Sequence, residues 1–321
     1  MPPASPYDPP VLRHTWVTGA AQDRAAFLID LRARLAHAGL AADRIESALW
    51  HGGVHVGGRP YLEGALPASV PERSAVTVYA FEVEPTPAPL RDDAVLLDAH
   101  GVVAIDKPAW MTVQASRASQ RLSLETLLRV RLRRPGLVAV HRLDRGTSGV
   151  VLFAEDPATA AHLGRQLASG HAHRRYLAVV SPRPVRSSWQ VEGWIGRKLH
   201  PTRFRFGLHA DSGPGRKASR TRFERLATRC NDTLVLAEPA TGRTHQLRVH
   251  LAHGGTPVVG DTLYGGRFDL DGEGTPVRTQ LHAAWLRVRV DPTPGASALL
   301  LAAPAPSDFA ARFAAAGREK R

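Results

Sequence analysis

The sequence predicts an α+β protein with two domains. Its 321 residues exceed the usual size of a single domain. Apolar residues follow a helical period in some segments and alternate with polar residues in others, which indicates both helices and strands. Residues 84–89 are rich in proline and form a stiff linker between an N-terminal part and the rest of the chain.

The N-terminal part is predicted to be a loose arm followed by a small module of two helices and a small sheet. Residues 1–13 are proline-rich and show no apolar period, which predicts an arm. Two helices are expected next, at residues 23–39 and 43–50. Residues 53–58 alternate and end in Gly-Gly, which is typical of a strand entering a hairpin, and residues 76–83 form another strand.

The segments beyond the linker alternate between strands and helices. Short apolar runs bounded by turn residues predict strands at residues 95–98, 102–106, 137–140, 150–154 and 174–180. Helices are expected at residues 123–132, from the capping residue Asp156 to Gly170, and around Phe309 and Phe313. Residues 189–226 alternate as several strands.

The composition indicates a polyanion as the partner. Lysine and arginine number 42 against 29 aspartate and glutamate residues, a net charge of +13, which is the electrostatic signature of a nucleic-acid binder. No apolar run is long enough for a membrane span, and no signal segment is recognisable. The single cysteine, Cys230, fits a reducing compartment. We therefore expect a cytoplasmic protein that binds RNA or DNA.

One polar loop stands out between two predicted buried strands. Residues 141–149 place a single carboxylate, Asp144, among cations and hydroxyl groups at the edge of a sheet, where a reactive anion can be held. The alternative is a turn in which the aspartate and serine side chains bond the local backbone. The residues alone leave both interpretations open.

A second dense motif spans residues 242–253, and it is followed by Gly260-Asp261 and Leu263-Tyr264-Gly265. The glycine-rich region before it carries several cations that could bind RNA phosphates without reading sequence: Arg203, Arg205, Arg220 and Arg222.

Together these stretches resemble the RluA-like pseudouridine synthases. Residues 141–154 match the family pattern H-R-L-D-x-x-T-S-G-x-x-L-x-A throughout, and residues 242–253 and 260–265 match G-R-T-H-Q-x-R-V-H-L-A-H and G-D-x-L-Y-G. The resemblance covers roughly residues 95 to 290. It departs at residues 110–114, after Asp106-Lys107-Pro108, which suggests a different choice of substrate.

The resemblance implies a fold, a reaction and a set of site residues. The fold is the pseudouridine synthase fold, with a mixed, mainly antiparallel central sheet; the N-terminal module resembles a degenerate αL-type RNA-binding module. The reaction is the isomerisation of uridine to pseudouridine in ribosomal or transfer RNA, with no cofactor or metal. By family position, Asp144 is the nucleophile and Arg248 is its cationic neighbour. Tyr176 is the aromatic residue that stacks on the uracil. Arg142 would support the flipped nucleotide, and Leu281 would pack on the base.

The motifs allow two other interpretations. His245, His250 and His253, with Asp261, could suggest a metal site, but their spacing is not a standard one for zinc. The family match explains these histidines as packing and hydrogen-bonding residues. A non-catalytic RNA-binding or ribosome-assembly protein that keeps the fold is the rival function.

The predicted organisation is a division into three segments. Residues 1–89 hold the arm, the module and the linker, residues 90–305 the catalytic domain, and residues 306–321 a C-terminal helix and basic tail. We expect the protein to act as a monomer.

Overall fold

The computed structural model describes residues 10–198, 205–270, 277–291 and 297–314, and these divide into two compact units. The described residues of the first unit are 10–88 and 111–135, and those of the second are 89–110, 136–198, 205–270, 277–291 and 297–314. The division of the chain into residues 1–89, 90–305 and 306–321 stays a prediction.

Hydrogen bonds explain why residues 111–135 cluster with the N-terminal unit. The backbone N–H of Gln120 donates to the carbonyl of His51 at 2.7 Å. The ring of His51 hydrogen-bonds Ser119 at 3.0 Å. These bonds join segments about seventy positions apart, so sequence pattern alone does not reveal them.

In its described residues, the first unit packs three helices with two small sheets. A four-stranded sheet has the order β1-β6-β3-β4, and a two-stranded ribbon joins β2 and β5. The elements are β1 (Val11–Val17), β2 (Gln22–Asp23), α1 (Arg24–His37), α2 (Ala42–His51), β3 (Val54–Val56), β4 (Arg59–Tyr61), β5 (Ser69–Val70), β6 (Ala75–Phe81) and α3 (Leu124–Arg131).

The N-terminal helices form where the apolar period placed them. Asp23 caps α1 by accepting a hydrogen bond from the N–H of Ala26 at 2.8 Å. Phe27, Leu31 and Leu35 lie on one face of α1 and are buried in the core of this unit. Strand β1 corrects the prediction of an arm up to residue 13, because Val11 already pairs with Phe81 of β6. This pairing is non-local, and the half-exposed strand shows no regular alternation.

The second unit is built on one eleven-stranded sheet. The strands follow the order β13-β12-β14-β15-β11-β16-β10-β8-β7, with β17 on β16 and β9 on β10. The elements are β7 (Val95–Ala99), β8 (Val102–Lys107), β9 (Val138–Ala139), β10 (Ser148–Ala154), α4 (Pro157–Ser169), β11 (His173–Val180), β12 (Ser188–Lys198), β13 (Arg205–His209), β14 (Lys217–Arg229), β15 (Asp232–Pro239), α5 (Gln246–His253), β16 (Leu281–Val288), β17 (Leu299–Ala302) and α6 (Ser307–Ala314).

This sheet is mixed and mainly antiparallel, as predicted. Among the described strands only β10 and β16 pair in parallel, at Ser148 with His282 and Gly149 with Ala283. A register shift interrupts the pairing of β11 with β16 between Arg175 and Tyr176. Such irregularities re-aim side chains and are common beside active sites. No helix in the described part of the chain is long and apolar enough to cross a membrane.

Candidate active site

The loop between β9 and β10 holds Asp144 in a fixed turn. The N–H of Thr147 donates to the carbonyl of Asp144 at 3.0 Å and closes the turn. His141, at the start of the loop, accepts a hydrogen bond from the N–H of Leu152 in β10 at 3.2 Å. Burial, with a contribution from Arg174, lowers the pKa of His141 to about 4, so this ring is neutral at physiological pH.

The far side of the loop is anchored to buried groups. The ammonium group of Lys107 donates to the carbonyls of Pro108 at 2.7 Å and Arg145 at 3.4 Å. The Lys107 side chain is completely buried, and this burial lowers its pKa to about 7. The buried Lys107, the last residue of β8, therefore holds the Asp144 loop through its hydrogen bond to the Arg145 carbonyl.

A single guanidinium group bridges Asp144 and a second carboxylate. Nη1 of Arg248 donates to Oδ2 of Asp144 at 2.8 Å. Nε and Nη2 of Arg248 donate to the two oxygens of Asp261 at 2.6 and 2.7 Å. Asp261 is almost fully buried, and its bidentate grip fixes the Arg248 side chain. Arg248 is thereby held with one donor aimed at Asp144.

The surroundings of Asp144 favour its ionised form. Burial by itself would raise the pKa of this carboxyl group. Electrostatic attraction to His245 and to Arg248, the hydrogen bond from Arg248 and the charge of Arg142 favour the carboxylate. Together they outweigh burial and lower the pKa of Asp144 below its ordinary value of 3.8. Asp144 is therefore a carboxylate at neutral pH although it is largely enclosed by protein.

His245 lies between Tyr264 and Asp144. Nδ1 of His245 and the Tyr264 hydroxyl form a hydrogen bond at 2.8 Å, and the N–H of Phe206 donates to the same hydroxyl at 3.1 Å. Nε2 of His245 lies 3.7 Å from Oδ1 of Asp144. Burial lowers the pKa of His245, so the ring is neutral at pH 7.

A cavity of about 90 Å³ opens beside Asp144. Tyr176 and Leu281 line it together with Arg142 and Arg248. Burial raises the pKa of the Tyr176 phenol, which therefore stays protonated through the neutral range.

The structure brings five of the predicted residues together. Asp144, Tyr176, Arg248, Arg142 and Leu281 all line this cavity.

The four arginines predicted to bind RNA phosphates do not lie together. Arg220 and Arg222 lie in a neighbouring groove of about 810 Å³. Arg205 lies over the ring of Tyr264, at 5.4 Å from its centre, and lines neither the cavity nor the groove. Arg203 falls outside the described residues.

The sequence explains His245 as a packing and hydrogen-bonding residue and assigns Tyr264 no part in the site. His245 does form a hydrogen bond, with the Tyr264 hydroxyl, and it also lines the cavity. His245 adopts a left-handed backbone, with φ of 56°, immediately before α5, and this turn delivers its ring to the cavity.

The histidines considered for a metal have separate partners. His250 is buried between the hydroxyls of Ser219 and Thr221, both at 2.9 Å, whereas His253 is exposed. Asp261 binds Arg248. In the part of the chain that the structure describes, no group of three or more metal-binding side chains is assembled.

Comparison with known proteins decides the family. Residues 101–253 match the family model described as RNA pseudouridylate synthase. An RNA pseudouridine synthase of Zymomonas mobilis, itself uncharacterised, is 36% identical over 180 residues, which are 54% of this chain and 79% of that protein. The chain belongs to the RNA pseudouridylate synthase family.

Other members of the RNA pseudouridylate synthase family agree with this assignment. Ribosomal large subunit pseudouridine synthase C of Yersinia pestis is 35% identical over 202 residues, 61% of each chain. The solved structure titled human RNA pseudouridylate synthase domain containing 1 superposes with a TM-score of 0.53 at 28% identity, covering 68% of this chain and 86% of that one. The matched part spans only 45% to 61% of the length of several curated relatives.

Proposed function

We propose that this protein isomerises uridine to pseudouridine within RNA. The observation that carries the proposal is an ionised carboxylate, Asp144, held by Arg248 at the wall of a cavity that Tyr176 and Leu281 also line. Isomerisation breaks the bond from uracil N1 to ribose C1′ and forms a bond from uracil C5 to the same carbon. The hydrogen on C5 leaves and N1 gains one, so no atom is added and no cofactor is needed.

Asp144 acts on the ribose in this proposal. A carboxylate can attack C1′ as a nucleophile or remove a proton from the sugar, and both routes require the ionised form that Arg248 maintains. Tyr176 stacks on the uracil and, as a neutral phenol, can pass a proton to or from the base. Leu281 packs on the ring from β16.

The target uridine must leave its stack to reach Asp144. Extruding a base costs a few kcal/mol, which contacts in the pocket offset. Arg142 is exposed at the mouth of the cavity, where its planar cation can stack in the space that the base vacates. The exposed Arg220 and Arg222 side chains would bind phosphates of the flanking strand.

Ribosomal or transfer RNA is the proposed substrate, and the names of the relatives favour ribosomal RNA. We also propose that the protein acts in the cytoplasm as a monomer, since the residues around Asp144 all come from the second unit of one chain. The first unit would be a degenerate RNA-binding module. In it Arg32, Arg34 and Arg44 are paired with carboxylates, which leaves less positive charge for RNA.

Tritium release tests the proposed activity. Large-subunit ribosomal RNA and transfer RNA are transcribed with uridine tritiated at C5, which loses its label to water when C5 bonds to C1′. The purified protein should release the label, and cells without the protein should lack a pseudouridine at the same position. Binding of these RNAs without any release would favour the rival non-catalytic function.

A further inference from the structure

Arg174 of β11 lies on the wall between the cavity and the groove. It precedes Tyr176 by two residues, so the two side chains lie on the same face of the strand. Arg174 and Pro239 line both the cavity beside Asp144 and the groove of about 810 Å³. The side chain of Arg174 is thus common to the walls of the cavity and of the groove.

One edge of the Arg174 guanidinium is unpaired. Nε and Nη2 are closed off from solvent, and no acceptor in the described residues lies within hydrogen-bonding distance of them. The same edge of Arg248 grips both oxygens of Asp261, and that of Arg278 grips both oxygens of Asp308. Burying an unpaired guanidinium is costly, so such an edge calls for an anion with two oxygens side by side.

Gly242 supports the position of Arg174. A Cβ atom at residue 242 would lie 2.6 Å from Nη1 of Arg174, a distance that would force the guanidinium to move. The backbone of the 242–253 motif therefore leaves room for this cation. The glycine is needed here for space and not for its backbone freedom, because its φ is not positive.

The groove beyond Arg174 is strongly cationic. Its described lining contains five arginines, namely Arg174, Arg175, Arg220, Arg222 and Arg287, against one carboxylate, Glu238. Arg175 is paired with Glu238 at 2.7 Å. Arg220 lies 3.9 Å from Glu192, outside the lining of the groove. The positive charges face the groove from β14 and β16 as well as β11, a surface suited to a polyanionic strand.

We propose that Arg174 binds a backbone phosphate next to the flipped uridine and that the flanking RNA strand lies in the groove. The two non-bridging oxygens of a phosphodiester match the Nε and Nη2 edge once the side chain turns this edge toward the groove, whereas a uracil carbonyl offers only one oxygen. Arg174 is then a positioning residue: it fixes the sugar of the target nucleotide over Asp144. This inference rests on the proposed function, since it takes RNA as the ligand.

A coupling experiment tests the contact with phosphate. Fluorescein-labelled pentauridine is prepared with a neutral methylphosphonate at each linkage in turn. Its binding is measured by anisotropy to the otherwise wild-type protein and to Arg174→Met, which keeps the bulk of the side chain. We expect one linkage at which neutralisation weakens binding about tenfold to the wild-type protein and has no effect on Arg174→Met. Inorganic phosphate at low millimolar concentration should not abolish this difference.

Two further variants separate this contact from general charge and from folding. Arg165→Ala removes an exposed arginine of α4 that does not line the groove, and it should keep the full methylphosphonate effect. Gly242→Ala should weaken pentauridine binding as Arg174→Met does, and combining the two should cost no more than either alone.

The expected and contrary outcomes are distinct. Equal methylphosphonate effects in wild type and Arg174→Met at every linkage would overturn the proposal, as would a failure of pentauridine to bind or full competition by inorganic phosphate. The readout is binding, so a chain that binds in this way but releases no tritium would contradict the proposed activity and leave the phosphate contact standing.

Discussion

At the level of single residues, Arg248 helps to keep Asp144 charged, because it supplies both a positive charge and a hydrogen bond. Its guanidinium group contacts two carboxylates, and one of them, Asp261, is buried. Removing the cation would leave Asp144 enclosed near a second negative charge, and both burial and repulsion raise the pKa of a carboxyl group. The depressed pKa of Asp144 is thus a property of this cluster and not of the loop alone.

Arg248→Met should therefore shift the pH dependence of the reaction. In the wild type the pKa of Asp144 is below 3.8, so the carboxylate is active down to the acid limit of the assay. In the variant the pKa rises, the protonated form is inactive, and kcat/KM should fall off at a higher pH than in the wild type. The measurement is kcat/KM for RNA between pH 5 and 8.

Two variants control this experiment. Arg248→Lys keeps the positive charge and should shift the acid limb less than Arg248→Met. Arg243→Met removes an arginine that lines the same cavity but donates to the Ala218 carbonyl, and it should not shift the acid limb. An acid limb at the same pH in Arg248→Met and wild type would refute the assigned role of Arg248.

At the level of elements, the parallel contact of β10 with β16 positions the Asp144 loop. Gly149 makes this contact possible. Its φ is 110°, and a Cβ atom there would lie 2.2 Å from the carbonyl oxygen of Ala283. No other residue fits without separating the two strands, and this separation would move the loop that ends at Ser148.

Gly149→Ala should accordingly destabilise the protein by about 3 kcal/mol or more, from backbone strain and overpacking together. Gly164→Ala is the matched control, because its Cβ would meet no atom within 4 Å and the residue lies inside α4. The control should gain roughly 0.5–1 kcal/mol from helix propensity. Urea unfolding of both variants gives the two changes in free energy, and equal values would contradict the account of β10.

Local signals explain which elements could be predicted from the sequence. Helices α1 and α4 carry capping aspartates and apolar faces, and the structure places both where these signals do. Strand β1 was missed, because its partner β6 begins 58 positions after its last residue and no local pattern reports that pairing. The clustering of residues 111–135 with the first unit depends on equally distant contacts.

The same distinction holds in the site. Asp144 and Arg248 lie within motifs that are recognisable from their letters alone, and the structure joins them at 2.8 Å. The hydrogen bond between His245 and Tyr264 links two separate turns, and the N–H of Phe206 donates to the same hydroxyl, so the contact depends on three distant parts of the chain. Nε and Nη2 of Arg174 are unpaired because the folded chain places no acceptor within reach of them, and no sequence pattern could have shown this.

At the level of the whole molecule, a net charge of +13 favours RNA through its phosphates. Binding phosphates releases condensed counterions, so log affinity falls linearly with log salt, by about 0.7 per contact for a single strand. Replacing Arg220 and Arg222 together by alanine should flatten this slope by roughly one unit and weaken all RNAs similarly. Salt titrations of binding measure the slope.

A charge-matched pair controls the salt titration. Arg165 and Arg183 are exposed and do not line the groove, so replacing both by alanine should leave the slope nearly unchanged. An unchanged slope in the Arg220 and Arg222 variant would show that the RNA does not lie in the groove.

Arg142→Ala should lower the single-turnover rate more than the affinity, since Arg142 supports the flipped state of the nucleotide. A variant that loses only affinity would contradict this role.

The single-turnover rate of Asp144→Asn tests the central claim most directly. Asparagine keeps the shape of the side chain but removes its charge and its nucleophilic oxygen. We expect no tritium release from RNA labelled at uridine C5, with RNA affinity within about tenfold of wild type. Residual turnover of even a few per cent of the wild-type rate, in preparations free of wild-type protein, would contradict the assignment of Asp144 as the reacting group.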